Sequence, residues 1–349
     1  MEREELFDVT IIGGGPAGLY SAFYSGLRGM KTKIIEYQPF LGGKVNVYPE
    51  KIVWDVGGLP PTPGAKLKDN LIEQGLTFDP SVVLNEKVEA MERNEEGMFE
   101  LRTASGERHL SKTIIIAVGS GILNPQKLNI EGAERFEVSN LNYTVKSLEH
   151  FKGKTVVVSG GGDSAIDWAN ELVAVAKKVY VTCRKGEFAG HEAHVKQLMD
   201  SCADCIFRTS ITKLVACENH DCIEHVELTN HETGQVSMLP IDEVVVSHGY
   251  EIDASLLNNS RLGIELKDNY YVEGSTNSES SVPGIFAAGD ILKHDGKLNL
   301  IAGAFQDAAN AVNMAKQYIQ PDAEKAAMVS SHNAVFQARN RELVKQMMN

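Results

Sequence analysis

The sequence predicts an α/β fold of two Rossmann-like, doubly wound parallel sheets, and the prediction rests on one pattern that occurs twice. Asp8 to Ile12 is a β-branched run, Gly13 to Gly15 a glycine cluster, and Pro16 to Arg28 a helical pattern; the apolar run Lys31 to Ile35 follows. The order recurs with Thr155 to Ser159, Gly160 to Gly162, Asp163 to Ala176 and Val179 to Cys183. A strand, a glycine turn, a helix and a second strand make a βαβ unit, whose right-handed crossover favours parallel pairing. Two such units far apart in the chain imply two sheets.

The remaining segments fill in around these units. Val82 to Leu101 alternates like a hairpin, and Thr113 to Val118 reads as a buried strand. His191 to Ser201 has a helical pattern. Ile206 to Val246 holds several short strands, broken at Asn219-His220-Asp221 and at Thr233-Gly234. Glu243 to Ser247 and Gly284 to Ala288 read as strands, and Phe305 to Tyr318 as an Ala-rich helix without glycine.

Composition excludes several function classes. The 349 residues are 43% hydrophobic, enough for about two cores. Charged residues make up 23%, so the chain is not of disordered type. The net charge of −13 argues against a nucleic-acid footprint. No run approaches a membrane span, and Met1 to Phe7 does not resemble a signal peptide. Five cysteines in a long chain do not look like a disulfide framework, so a cytoplasmic location is expected.

The first cluster is Gly13-x-Gly15-x-x-Gly18. In such a fingerprint the first glycine makes the tight turn, the second lets backbone approach a pyrophosphate, and the third lets helix and strand pack closely. The helix start offers free N–H groups to phosphate. Glu36, at the end of the next strand, suits a ribose diol. The second cluster is Gly160-x-Gly162-x-x-Ala165, and its strand end carries Arg184 and Lys185 in place of an acid. Cations there fit a 2′-phosphate, hence NADP(H). A chain with two dinucleotide sites divides them naturally: one holds FAD, and the other exchanges a nicotinamide nucleotide.

With these motifs, LGGKVNVYPEKIVWDVGG (Leu41 to Gly58), GGGDSAIDWA (Gly160 to Ala169), GIFAAGD (Gly284 to Asp290) and KLNLIA (Lys297 to Ala302) make the chain resemble the thioredoxin-reductase-like ferredoxin/flavodoxin–NADP+ reductases nearly end to end. The resemblance implies an FAD domain at 1–122 and 251–349, with an NADPH domain inserted at 123–250. It implies that Glu36 binds the adenosine ribose, Tyr48 stacks on the isoalloxazine, Val88 lies by the adenine and Leu123 near the hinge. It further implies that Asp290 holds the ribityl chain, and that Ser331 with Ser330 approaches the flavin from the tail. A homodimer passing electrons to ferredoxin or flavodoxin is implied as well.

This chain departs from that pattern in places. Lys44 stands where the family usually has Gln. Ala189 replaces the third phosphate-binding Arg. A gap-free count from Asp290 puts Val329 at the flavin-stacking position, whereas a slip of a few residues makes it His332, and both stay open.

A rival reading is an NADPH-dependent disulfide or thioredoxin-type reductase using Cys202 and Cys205. That pair lies after the His191 to Ser201 helix, away from the Cys-free stretch Leu141 to Lys154 where such enzymes carry their dithiol. Cys202, Cys205, Cys217 and Cys222 have the count for a four-cysteine zinc site, but the spacing between pairs is shorter than in zinc ribbons, and no metal is expected. His191 and His194 read as local structure or neighbours of the nucleotide. No catalytic side chain is expected, since the flavin carries the chemistry.

Overall fold

The computed structural model describes residues 5–121 and 124–348. The chain divides into two units, one of Met1–Asn46, Lys51–Ile122 and Ile252–Asn349, the other of Val47–Glu50 and Leu123–Glu251. The division departs from the sequence reading in two places. Glu251 joins the second unit, where its N–H donates to Asn124 O at 2.9 Å. Val47–Glu50 joins it too: Thr144 Oγ1 donates to Val47 O at 3.0 Å, and Leu148 N–H donates to Glu50 Oε2 at 2.8 Å.

In the first unit the sheet runs Ser81–Val83, Thr32–Ile35, Leu6–Ile12, Arg108–Ile116, Phe99–Thr103, Val88–Arg93. The first four strands are parallel and the last two antiparallel, and Ile285–Ala287 pairs in parallel with the end of Arg108–Ile116. The central strands are apolar on both faces because each face meets its own core. Ile11 and Ile115 belong to one core, with the helices Pro16–Leu27 and Ile301–Ile319, while Ile12, Ile114 and Ile116 belong to the other.

Three elements differ from expectation. Val82 lies in a parallel strand, so the hairpin is only Val88–Arg93 with Phe99–Thr103. The strand expected at Thr113 begins at Arg108, because its outer half pairs with that hairpin. The Ala-rich helix starts at Ile301 and includes Gly303, where a Cβ would collide with the Leu298 carbonyl.

The second unit has a fully parallel sheet in the order Asp204–Phe207, Lys178–Cys183, Thr155–Ser159, Glu243–Val246, Leu141–Asn142. Val157, Val244 and Val246 face one core, and Val156, Val158 and Val245 the other. An antiparallel sheet of Thr209–Ala216, Ile223–Asn230 and Val236–Pro240 accounts for the short strands expected there.

In both units the strand before the glycine cluster has its successor on one side and a later strand on the other. Such a reversal opens a crevice at the strands' carboxyl ends. The backbone must bend sharply there. Gly13 has φ +107° and Gly160 φ +155°, and a Cβ at either would collide with a carbonyl of the neighbouring strand's continuation, Ala117 O and Ser247 O respectively.

Candidate functional site

The first glycine turn is built around a buried acid. Gly13 N–H donates to Ile35 O at 2.8 Å, which joins the turn to the end of the second strand. Glu36 follows and is 8% exposed. Its Oε2 accepts from Gly14 N–H at 2.6 Å and its Oε1 from Gln38 N–H at 2.8 Å. Burial nevertheless pushes the carboxyl above the ordinary glutamate range, against the lowering effect of these bonds. Ribose hydroxyls are donors that such a carboxylate accepts well.

Gly15 caps the helix, and Pro16 supplies its fixed φ at the first helical position. The backbone at Gly15 is ordinary extended chain, φ −78° and ψ −172°. A Cβ there would meet only Gly43 Cα, at 3.6 Å. Neither backbone nor packing demands glycine at this position, which suits a helix N-cap and leaves room for a phosphate to approach the turn. Gly18 is different, since a Cβ would run into Gly13 O, so this glycine serves helix-to-strand packing.

The second turn repeats the logic. Gly162 caps helix Asp163–Val173 with φ −97° and ψ 178°, and a Cβ there would meet nothing within 4 Å. Ala165 is fully buried at the packing position. The segment after Cys183 folds back over the turn: Ala189 N–H donates to Gly161 O at 2.7 Å, and His191 N–H to Asp163 Oδ1 at 2.7 Å. Arg184 and Lys185 are exposed at the strand end, and no salt bridge reaches either among the described residues. His248 Nε2 lies 2.9 Å from Ser159 Oγ beside the same turn. Burial and then the Arg184 charge hold its imidazole below the usual histidine range. Both turns therefore have the shape and donors that a dinucleotide pyrophosphate needs.

The other expected residues fall in varied places. Asp290 is half-buried just past strand Ile285–Ala287 and has no hydrogen-bond partner among the described residues. Lys44 is exposed in the turn Gly43–Val47. Tyr48 packs against the second unit's core. The Val88 side chain is part of the first unit's core. Leu123 lies outside the described residues.

Val329, Ser330, Ser331 and His332 are all exposed in a short turn. That turn lies between two anchors: Ala327 N–H donates to Tyr24 Oη at 3.3 Å, and the Phe336 ring lies 5.4 Å from that of Phe78. Tyr24 is about 13 Å along the helix from the glycine turn, at 1.5 Å per residue. The tail thus joins the far end of the helix that the turn begins.

Sequence reasoning missed Asp307. This buried carboxylate accepts from Gly289 N–H at 3.1 Å, just before Asp290, and its Oδ2 also binds Lys297 Nζ. Lys297 Nζ donates to Gly289 O at 2.8 Å, and His294 Nε2 lies 3.5 Å from Asp307 Oδ1. The signal was there: an acid on the apolar stripe Ala304, Ala308, Ala311 of an amphipathic helix is out of place unless it is bonded.

The cysteines do not assemble as a four-cysteine set. The group of potential metal ligands found among the described residues is Cys217, Asp221 and Cys222, which excludes Cys202 and Cys205. Cys222 donates to Cys217 Sγ at 2.6 Å, and this bond is the main reason its thiol is pushed up to about 11. Burial pushes the Cys205 thiol up as well, the opposite of what a reactive dithiol requires. His191 acts as a helix cap, its Nδ1 accepting from Ala193 N–H at 3.3 Å.

Comparison with known proteins agrees with this geometry. A family described as pyridine nucleotide-disulphide oxidoreductase matches residues 7–315. The chain belongs to that family. This oxidoreductase is 71% identical over 348 residues to ferredoxin–NADP reductase 1 of Bacillus mycoides (strain KBAB4), with 100% of each chain covered. It is 65% identical over 340 residues to ferredoxin–NADP reductase 1 of Oceanobacillus iheyensis, covering 97% of each. Its fold is similar to that of Lactococcus lactis thioredoxin reductase in the FR conformation, with a TM-score of 0.74 and 25% identity over 90% of this chain and 99% of that one.

Proposed function

We propose that this oxidoreductase is a ferredoxin–NADP reductase that binds FAD at the first glycine turn and NADP(H) at the second. The observation that carries the reading is the pair of N-cap glycines, Gly15 and Gly162, which leave each helix start open to a phosphate, set beside opposite strand-end charges, Glu36 and Arg184. Full-length relatives named ferredoxin–NADP reductase support it. When bound, FAD accepts a hydride from NADPH and releases its electrons singly. The chain's own residues bind and orient. Gly13 to Gly18 and the first helix N-terminus take the FAD pyrophosphate, and Glu36 takes the ribose hydroxyls. Gly160, Gly162 and Ala165 frame the NADP(H) pyrophosphate, with Arg184 and Lys185 on the 2′-phosphate. Asp290 holds the ribityl chain, in a turn that Asp307 and Lys297 fix from behind. Tyr48 and Lys44 approach the isoalloxazine, and Val88 offers its backbone to the adenine side.

Flavodoxin is a second acceptor of the same one-electron kind, and the enzyme works in the cytoplasm as a homodimer. Exposed apolar residues of the tail, including Val335, Leu343, Val344 and Met347, favour the dimer. In a dimer Val329, Ser330, Ser331 and His332, exposed in a turn joined to the far end of the first helix, are offered to the flavin of the second copy. The deciding experiment is NADPH-driven reduction of ferredoxin, flavodoxin and thioredoxin by wild type and by Cys202→Ser/Cys205→Ser. Ferredoxin reduction that survives the double substitution supports the reading. Thioredoxin reduction that is lost with it overturns the reading in favour of a disulfide reductase.

A further inference from the structure

The NADP(H) loop has a cation that its own sequence does not supply. With Ala189 in the loop, Arg184 and Lys185 are the only cations between Cys183 and His191. Arg208 comes from the next strand. Strand Asp204–Phe207 runs parallel to Lys178–Cys183 with Phe207 opposite Cys183, so Arg208 and Arg184 leave adjacent strand ends at the same level. Arg208 N–H donates to Lys185 O at 3.0 Å, and Arg208 O accepts from His231 N–H at 2.7 Å. These two bonds hold its backbone at φ +55°, a left-handed conformation that non-glycine residues seldom adopt and that recurs at ligand sites.

The guanidinium has a defined place as well. It reaches over Gly186, where a Cβ would lie 3.2 Å from Nε and 3.2 Å from Nη2. Nη1 donates to Glu232 Oε2 at 2.7 Å. The acid thus grips one prong of the fork and leaves the Nε and Nη2 edge against the Arg184-Lys185-Gly186 backbone. Three cations, Arg184, Lys185 and Arg208, leave neighbouring backbone positions here, beside Glu232 and the exposed Glu187 of the loop. A planar guanidinium held over this loop is the kind of group that takes a phosphate through paired N–H donors.

We propose that Arg208 is a third 2′-phosphate-binding residue of the NADP(H) site, oriented by Glu232 and taking the place that Ala189 leaves vacant. The inference rests on the reading of the second glycine turn as the NADP(H) site. Arg208 discriminates NADPH from NADH and makes no contribution to the pyrophosphate, which the two nucleotides share.

The test is calorimetric titration of the FAD-loaded protein with 2′,5′-ADP and with 5′-AMP, for wild type, Arg208→Asn and Arg184→Ala. Asn tolerates the left-handed backbone, so the substitution removes the charge without forcing the chain to move. Arg208→Gly, which suits that backbone still better, is the second variant, with thermal melting to verify the fold. Loss of a charged hydrogen bond corresponds to about tenfold. Arg208→Asn should therefore weaken 2′,5′-ADP by about tenfold or more and leave 5′-AMP within about twofold. Unchanged 2′,5′-ADP binding in a folded Arg208 variant, or equal weakening of both ligands, overturns the proposal. If Arg184→Ala weakens 2′,5′-ADP while Arg208→Asn does not, the site reading survives and this inference fails. If only Arg208→Asn acts, Arg208 stands and the role of Arg184 is lost.

Discussion

Gly162→Ala separates fold from function in a way the structure makes quantitative. The backbone at Gly162, φ −97° and ψ 178°, suits any residue, and a methyl group there meets no atom within 4 Å. Two small effects on stability oppose each other. Reduced freedom of the unfolded chain stabilises by about 0.4–1 kcal/mol. Alanine is a poorer N-cap than glycine, which costs a similar fraction of a kcal/mol. The net change should stay within about 1 kcal/mol. Binding has no such compensation. The methyl group occupies the space where the pyrophosphate meets the helix N-terminus, and each lost hydrogen bond to a charged group contributes about 1.5–3 kcal/mol. NADP+ affinity by calorimetry should therefore fall at least tenfold, at nearly unchanged urea midpoint. Because the pyrophosphate is common to both nucleotides, NAD+ should weaken by the same factor. Gly18→Ala is the contrast: its Cβ would collide with Gly13 O, so it should destabilise the first unit outright. Wild-type NADP+ affinity in Gly162→Ala would refute the phosphate explanation for that glycine.

Arg184→Ala should raise KM for NADPH about tenfold more than for NADH, measured by steady-state reduction of ferredoxin; equal rises would remove its role at the 2′-phosphate. Asp307→Ala strands the Lys297 ammonium, whose side chain is 6% exposed, and should destabilise by about 3–5 kcal/mol with loss of bound FAD absorbance. Adding Lys297→Met should recover most of that stability in urea melts, and a double variant no better than the single one contradicts the pairing. His248 has a folded pKa below its unfolded value near about 6.5, so the unfolded chain binds the extra proton first and stability falls as pH drops below about 6.5. His248→Gln should flatten that part of the melting-temperature profile, and an unchanged slope would point to other groups.

The parts of the molecule that obey local rules were legible in the sequence. A glycine cluster between a β-branched run and a helix has few structural outcomes, so both turns, Glu36 and Arg184 could be named by position. What escaped depends on partners distant in sequence. Val82 alternates with its neighbours as a hairpin strand does, yet its pairing with Thr32–Ile35 is parallel, and periodicity carries no information on the partner. Tyr48 sits in a segment continuous with the first unit, and the bonds of Val47 and Glu50 to Thr144 and Leu148, with the packing of Tyr48 itself, assign it to the second. Asp307 was visible as a misplaced acid but its partners, Gly289 and Lys297, were not. Arg208 reads in sequence as one more surface cation, and its register opposite Arg184 exists only once the sheet is ordered.

The two turns share one backbone design, so the difference between a resident and an exchangeable nucleotide has to come from what surrounds them. Glu36 is nearly buried, with both carboxylate oxygens already bonded to the turn's own N–H groups and its charge disfavoured by desolvation. A ligand that donates hydroxyls to it relieves that desolvation, and losing the ligand restores it, which favours long residence. Arg184 and Lys185 stand in water at the corresponding strand end. There a 2′-phosphate exchanges one hydrated partner for another, so its hydrogen bonds of about 1.5–3 kcal/mol each set affinity without a buried charge that loss of the ligand would strand. In the function we propose, the same fingerprint holds one nucleotide firmly and releases the other through burial of the strand-end charge rather than through the glycines. A buried acid also has to be made with the fold, since Gly14 reaches Glu36 only when the turn is closed, whereas an exposed arginine does not depend on that closure. Both ligands stabilise the unit they bind by mass action, and the buried first site adds to this, so removing FAD should lower the melting temperature of the first unit by more than withholding NADP(H) lowers that of the second.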